Sequence, residues 1–182
     1  MQNEGIEQIE QNCIFDEQDY YFTNLHMMEM KELAIYLKKS LVELENLQKI
    51  LFSLLDFPGY IHLEIFDFDI KKIESLLVSY KSKYAIKKLK IDTYYLEVKI
   101  NDYGLFIEML KYMEAYAGYG MLNFYSNCNI CFNKEIINEN LKFTLVDSSN
   151  FVLVSIKDDG ESLSIISEKE NLKKFKEQLE CF

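Results

Sequence analysis

The fold is decided by residues 60–126, which open with YIHLEIFDFDIKKIESLLVSY (60–80). In this stretch Ile61, Leu63 and Ile65 alternate with other side chains, and a period of two is typical of a β-strand. From residue 70 the apolar residues recur every three or four positions instead, which predicts an amphipathic helix. Asp69 lies at the position from which a side chain can cap the start of that helix.

The rest of this segment repeats the change of period. Two strand patterns follow in KYAIKKLKID (83–92) and TYYLEVKIND (93–102), then a helical pattern in YGLFIEMLKYMEAYAG (103–118) and a strand pattern in MLNFYS (121–126). The predicted order is therefore β-α-β-β-α-β. This order is the ferredoxin-like pattern, and it predicts a ferredoxin-like core over about residues 60–126.

A long N-terminal helix is predicted before this core, from Thr23 or Asn24 to about Asp56. Positions spaced alternately four and three residues apart, all apolar except Gln48, form a seam along it: Met30, Ala34, Leu37, Leu41, Leu44, Gln48, Leu51 and Leu55. Further apolar residues widen this stripe, so we expect the helix to lie across the sheet. The alternative is a homodimer that forms through the helix of residues 24–56.

The C-terminal third predicts antiparallel strands and a final helix. Strand patterns occur in LKFTLVD (141–147), FVLVSIK (151–157) and ESLSIIS (161–167), and Asp-Gly at 159–160 is a strong hairpin signal. An apolar face at Leu172, Phe175 and Leu179 marks the last helix. The fold class is thus α+β, with a single compact domain over residues 23–182 after an acidic N-terminal segment, residues 1–22.

Composition excludes several classes of function. The chain has 182 residues and a net charge of −10, and its 20 basic residues are all lysine. Guanidinium groups carry much of phosphate and base recognition, so direct binding to nucleic acid is not expected. No apolar run is long enough to span a membrane and no secretory signal is visible, which predicts a cytoplasmic protein with four reduced cysteines.

The negative charge is concentrated at the N-terminus, because residues 1–25 carry six acidic residues and no lysine. Acidic residues beside aromatic residues are suited to contact a basic protein surface. The predicted partner-binding residues are Glu4, Glu7, Glu10, Asp16, Glu17, Asp19, Tyr20 and Tyr21.

Cys128 and Cys131 form the only Cys-x-x-Cys motif. A structural zinc site usually needs four cysteine or histidine ligands, and the remaining cysteines and histidines form no second close pair. A strand, the motif and a helix start at FNKEIINEN (132–140) are similar to the thioredoxin-like arrangement. However, Asn127 replaces the usual aromatic residue, and Pro58 precedes the motif instead of following it. We therefore expect two ordinary thiols, and neither a metal nor another cofactor.

Asp67 and Asp69 support a different hypothesis. Two carboxylates at the end of a strand can share a divalent metal, and they resemble the Asp-x-Asp of haloacid-dehalogenase-like phosphatases. This resemblance implies a small metal-dependent phosphotransfer or phosphohydrolase enzyme. Ile70-Lys71 occupies the place where that family has Gly-Thr, and helix capping by Asp69 is the alternative.

The sequence contains no complete catalytic motif, since it has neither a glycine-rich phosphate loop nor a serine or cysteine triad pattern. The favoured hypothesis is therefore a non-enzymatic, acidic, protein-binding inhibitor of the toxin-immunity or phage anti-defence type. It would occupy a basic surface of its partner, such as the nucleic-acid-binding surface of a nuclease. The enzyme that uses Asp67 and Asp69 is the alternative.

Overall fold

The structure is a computed structural model that describes residues 6–12, 22–23, 30–55, 57–129, 131–146 and 150–180. Over these residues the protein is a mixed α+β structure with a large antiparallel sheet, a three-stranded sheet and four α-helices. The helices are α1 (Glu45–Leu54), α2 (Ile70–Ser79), α3 (Tyr103–Ala117) and α4 (Lys169–Glu180).

The large sheet is formed by β1 (Ile6–Asn12), β3 (Lys31–Leu37), β4 (Gly59–Phe66), β5 (Tyr84–Lys88), β6 (Thr93–Ile100), β7 (Asn123–Ser126), β10 (Val152–Lys157) and β11 (Ser162–Ser167). Its spatial order is β1-β3-β11-β10-β7-β4-β6-β5, and all neighbours are antiparallel. The small sheet contains β2 (Phe22–Thr23), β8 (Phe132–Ile137) and β9 (Asn140–Leu145) in the order β2-β9-β8.

The two faces of the large sheet bury different kinds of side chain. Alternate residues such as Ile61, Leu63 and Ile65 face an aliphatic core, which also contains the buried sides of all four helices. The intervening residues belong to a second, more aromatic core, which Phe132, Leu141 and Phe143 of the small sheet close. The small sheet therefore covers the face of the large sheet that the helices leave open.

Residues 59–126 form a strand, a helix, two strands, a helix and a strand, in the order that the periodicities predict. The four strands are neighbours in the large sheet, in the order β7-β4-β6-β5. Residues 152–157 and 162–167 pair as the predicted hairpin, with Asp158, Asp159 and Gly160 all at positive φ in the turn. Two aspartates and a glycine suit such a turn, since these residues tolerate the left-handed region.

The prediction of one helix from residue 24 to residue 56 was wrong. Lys31–Leu37 is a strand between β1 and β11, and the helix is confined to Glu45–Leu54. Within KELAIYL (31–37), Leu33, Ile35 and Leu37 also follow a period of two, and strand pairing selects that period. The seam residues Met30, Leu41 and Leu51 are buried in the two cores. The single helix over residues 24–56, through which a homodimer was predicted as the alternative, is therefore not formed.

One expectation for the C-terminal third also needs correction. Residues 132–137 form strand β8 and not the start of a helix. Strands β9 and β10 follow one another in the chain but lie in different sheets, so they do not form a hairpin. Residues 132–137 form a strand because they pair with β9, which local periodicity does not show. Strand β10 pairs with β7 and β11 instead of β9.

Part of the acidic N-terminal segment belongs to the large sheet. Residues 6–12 form the edge strand β1, in antiparallel register with β3. The division into residues 1–22 and residues 23–182 stays a prediction. No helix among the described residues is long and apolar enough to cross a membrane.

Candidate functional site

An exposed group of aromatic rings lies where β4 and α3 end. The Phe66 ring stacks on Phe68, with 5.1 Å between centroids, and contacts Tyr119 edge-on at 5.4 Å. Phe68 is 72% exposed and Tyr119 is 70% exposed, although both are large aromatic residues. We call Phe66, Phe68, Tyr112, Tyr116 and Tyr119 the open aromatic cluster; Tyr116 contacts both Phe66 and Tyr112.

The turn between β5 and β6 lies beside this cluster, because the Asp67 amide donates a hydrogen bond to the Asp92 carbonyl at 3.0 Å. Ile91, in that turn, is 82% exposed. Isolated exposed apolar residues are common on protein surfaces, but three large ones in neighbouring segments form a patch. Patches of this kind are typical of surfaces that contact another molecule.

Carboxylates border the open aromatic cluster. Asp67 and Asp92 are exposed, and the Asp69 carboxylate accepts a hydrogen bond of 2.6 Å from the Tyr116 hydroxyl. Burial and the contact with Asp69 raise the pKa of Tyr116, so its hydroxyl stays a neutral donor to the carboxylate. The border of the cluster is therefore acidic, although Lys72 approaches the Tyr112 ring at 5.8 Å.

Asp69 does not cap α2 with its side chain as expected: it precedes the helix, but its carboxylate makes no capping hydrogen bond. Its described partner is Tyr116. Among the described residues no three histidine, cysteine, aspartate or glutamate side chains form a group that could hold a metal ion. Asp67 and Asp69 therefore have no third such ligand in that part of the chain. The metal-dependent enzyme stays a prediction of the sequence.

A polar network crosses the buried aromatic core. His62 Nδ1 lies 2.7 Å from the Tyr95 hydroxyl, which donates to Glu97 Oε2 at 2.9 Å. Lys134 forms an ion pair with the same carboxylate, and Asn129 donates to its other oxygen at 3.0 Å. The network thus connects a fully buried imidazole with a half-buried ion pair at the rim of the small sheet.

The hydrogen bonds assign the tautomer of His62. Tyr95 has one hydroxyl hydrogen, which it gives to the Glu97 carboxylate, so His62 Nδ1 must carry a hydrogen and donate to Tyr95. His62 Nε2 then has a lone pair and no hydrogen-bond partner among the described residues. Burial, with the charge of Lys134, lowers the pKa of His62 well below 6.5, and the imidazole is neutral.

This network is hard to predict from the sequence, because its members lie up to 72 positions apart in the chain. Its one local signal is the alternation in β4, which places His62 on the opposite side of the strand from Ile61 and Leu63. The pairing of His62 with Glu97 across β4 and β6 then brings the charged partner within reach.

Cys128 is a half-buried free thiol, and Cys131 is buried in the aromatic core. The Ser126 hydroxyl donates a hydrogen bond to the Cys128 carbonyl at 2.8 Å, which shapes the chain from Ser126 to Cys128. The chain after Cys131 continues into strand β8 and not into a helix. No helix N-terminus therefore follows the motif to lower a thiol pKa, as the thioredoxin-like comparison required.

Only two of the eight predicted partner-binding residues lie in the described part of the chain, so that site stays a prediction. Glu7 and Glu10 belong to the edge strand β1. The other six lie outside the described residues: Glu4, Asp16, Glu17, Asp19, Tyr20 and Tyr21. Sequence reasoning missed Phe68 and Tyr119, which are 51 positions apart and both contact Phe66 only because of the fold.

No family model, no curated protein and no solved structure matches this chain. Its function is therefore inferred from the residues and their geometry.

Proposed function

We propose that the protein is a non-enzymatic binding protein that occupies a basic surface of a partner protein, with the open aromatic cluster as its contact surface. The observation that carries this proposal is the pair of rings of Phe68 and Tyr119, 72% and 70% exposed, which flank Phe66 beside Asp67 and Asp92.

Aromatic side chains are enriched at the centres of protein interfaces, where they bury a large area. Phe66 holds both exposed rings in place, so binding a partner would order them at a small cost in conformational entropy. The surrounding carboxylates and the net charge of −10 favour a partner of opposite charge, and such complementarity raises the association rate.

The partner class follows from these charges. A nucleic-acid-binding surface, such as the groove of a nuclease, is basic because it contacts phosphates. An acidic protein that covers such a groove would act as an inhibitor of the toxin-immunity or anti-defence type. The acidic N-terminal residues are proposed as a second contact. Four strands separate β1 from β4, about 24 Å at the usual strand spacing, so a partner that meets both regions must span that distance.

We also infer that residues 59–126 form a ferredoxin-like unit. The pairing order β7-β4-β6-β5 supports this interpretation, because it is the fourth, first, third and second strand of the segment. In such a unit both connecting helices pack on one face of the sheet. Ile73 and Leu77 of α2 share one core with Leu105 and Met109 of α3.

The proposal is tested by affinity capture from a lysate of the source organism, at low and at high salt, with quantitative mass spectrometry. The test variant is Phe68→Ala combined with Tyr119→Ala. The control is Val78→Ala, which also removes an exposed apolar side chain, 63% exposed, but on the surface of α2. We expect one stoichiometric partner that the wild type and Val78→Ala retain, that high salt releases, and that the double variant loses.

Equal capture by the double variant would show that the open aromatic cluster is not the contact surface. A complete lack of a stoichiometric partner at low salt would contradict the binding function itself. In that case Mg²⁺ titration of the wild type and of Asp67→Asn becomes the decisive comparison, since the alternative enzyme requires a metal at that carboxylate.

A further inference from the structure

A cavity of about 410 Å³ adjoins the open aromatic cluster. Tyr119 belongs to the cluster, and the next three residues, Gly120–Leu122, line the cavity. Two backbone hydrogen bonds fix this boundary: the Met121 amide donates to the Tyr116 carbonyl at 3.0 Å, and the Glu64 amide donates to the Leu122 carbonyl at 2.8 Å. A molecule bound on the cluster is therefore next to the cavity.

The cavity exists because the large sheet opens between β7 and β10. These strands pair only at two positions, Ser126 with Leu153 and Tyr125 with Val154. Beyond Tyr125, Phe124 and Asn123 of β7 pair with β4 but not with β10, and the Asn123 side-chain oxygen accepts the hydrogen bond of the Ile156 amide at 2.9 Å in place of a strand carbonyl. The apolar lining of the opening includes Met121, Leu122, Phe124, Leu153 and Ile166.

The cavity has an acidic border at Asp158 and Asp159. Neither carboxylate makes an ion pair within 4.0 Å among the described residues, and Asp158 accepts a hydrogen bond from Ser162. Lys157 also lines the cavity, but its ammonium lies 3.5 Å from the buried Glu32 carboxylate, which compensates its charge. An apolar lining with an unpaired acidic border suits a ligand that has an apolar part and a cationic end.

The neighbouring cleft does not reverse this charge. Asp159 also lines that cleft, together with Lys38, Lys39, Glu114 and Glu161. Glu114 accepts hydrogen bonds from the Ser40 hydroxyl and the Leu41 amide. With Glu32 and Lys157, the region has five carboxylates and three lysines. The border of the cavity therefore keeps a net negative charge.

We propose that this cavity receives an arginine of the basic partner together with an adjacent apolar residue, with the guanidinium at Asp158 and Asp159. This inference rests on the proposed function and adds the anchor through which the partner is recognised. The aliphatic stem of arginine packs on apolar surface, and its planar guanidinium is weakly hydrated and pairs well with carboxylates. Arginine is also enriched among the residues that dominate binding energy.

Two further observations favour this occupant. The volume of about 410 Å³ lies in the range of ligand pockets, roughly 300–1,000 Å³, and leaves room for a neighbouring apolar residue. The chain itself contains no arginine, so a second copy cannot supply the guanidinium. The anchor must therefore come from a different protein.

The test uses two capped peptides that contain an arginine-leucine pair or a citrulline-leucine pair. Citrulline keeps the shape of arginine but has no charge. Binding is followed by NMR, through the methyl signals of Met121 and Ile166 in the cavity and the ring signals of Phe68 and Tyr119 outside it. We expect the arginine peptide to shift the cavity methyls and to bind about tenfold or more tightly than the citrulline peptide, as for loss of a charged hydrogen bond.

Asp158→Asn combined with Asp159→Asn should remove the preference for arginine, whereas Glu135→Gln combined with Glu139→Gln, which also removes two charges but at exposed sites in β8 and the turn after it, should not. Equal affinity for both peptides, no cavity shifts, or shifts confined to Phe68 and Tyr119 would overturn the proposal. Those results leave the proposed function to be judged separately, because the Phe68→Ala and Tyr119→Ala capture experiment changes no residue that lines the cavity.

Discussion

Two of the aromatic clusters in the described part of the chain differ in what covers them. The open aromatic cluster has solvent on one side. The second, which we call the closed aromatic cluster, lies between the two sheets and consists of Phe22, His62, Tyr95, Phe124, Phe132 and Phe143. Phe143 is central to it, with centroids 5.1 Å from Phe124 and 5.5 Å from both Phe22 and Phe132.

The difference shows what each cluster contributes. In the closed cluster every ring loses water on folding, so the rings stabilise the contact between the sheets. In the open cluster Phe68 and Tyr119 keep most of their area in water and add little to folding. Their apolar area becomes useful only when a second molecule covers it. The closed cluster thus contributes to stability, and the open one is the surface that we propose for recognition.

The largest expected effect separates the clusters by stability. Phe143→Ala should lower the free energy of unfolding by about 3–5 kcal/mol, because it leaves a cavity among fully buried rings. Phe68→Ala should change it by no more than about 0.5 kcal/mol, as is usual for exposed positions. Urea denaturation followed by circular dichroism measures both values. A loss at Phe68 comparable to that at Phe143 would assign the open cluster a structural role.

The sequence predicts the secondary structure of residues 59–126 better than that of residues 31–37. The elements of residues 59–126 follow from local periodicity, and the helices at Ile70–Ser79 and Tyr103–Ala117 lie where it places them. Residues 31–37 satisfy a strand period and a helix period together, so the choice depends on β1 and β11, which are distant in the chain.

Neither aromatic cluster can be predicted from the sequence, because the contacts between its rings depend on how the strands and helices are aligned in the fold. Phe66 and Tyr119 meet only when β4 and α3 end at the same edge. A partial signal existed for the open cluster, since Phe68 lies between Asp67 and Asp69 at a position where a strand ends and solvent is expected. The predicted acidic site depends on residues that are mostly outside the described part of the chain.

The next effect concerns His62, whose imidazole is the group of the closed cluster that we expect to make stability depend on pH. Its charged and titratable neighbours are Tyr95 and Glu97 from β6 and Lys134 from β8; Phe124 and Phe143 supply no charge. The pKa of His62 is well below 6.5 when folded, so below about pH 6.5 the unfolded chain binds a proton that the folded protein does not. The contribution of His62 to stability is therefore complete above pH 6.5 and is lost as the pH falls.

We expect the free energy of unfolding to decrease from pH 7.5 to pH 5.5 more steeply in the wild type than in His62→Phe, which keeps a ring but cannot titrate. Urea denaturation at several pH values gives the two slopes. The carboxylates titrate in both proteins, so the difference between the slopes belongs to His62. Parallel slopes would mean that the imidazole is protonated, or hydrated, in the folded protein.

The smallest effect concerns the hydroxyl groups of the buried Tyr116 and the exposed Tyr119, both in the open cluster. Tyr116 is 2% exposed and donates its hydroxyl to Asp69, whereas Tyr119 is 70% exposed and no described group accepts its hydroxyl. Tyr116→Phe should therefore lower the free energy of unfolding by about 1 kcal/mol, the net value of one hydrogen bond, and Tyr119→Phe should leave it unchanged. Both variants keep their rings, so urea denaturation of the pair isolates the hydroxyl. Equal stabilities would show that the Tyr116 hydroxyl exchanges Asp69 for water without cost, and that its hydrogen bond does not fix the buried side of the open cluster.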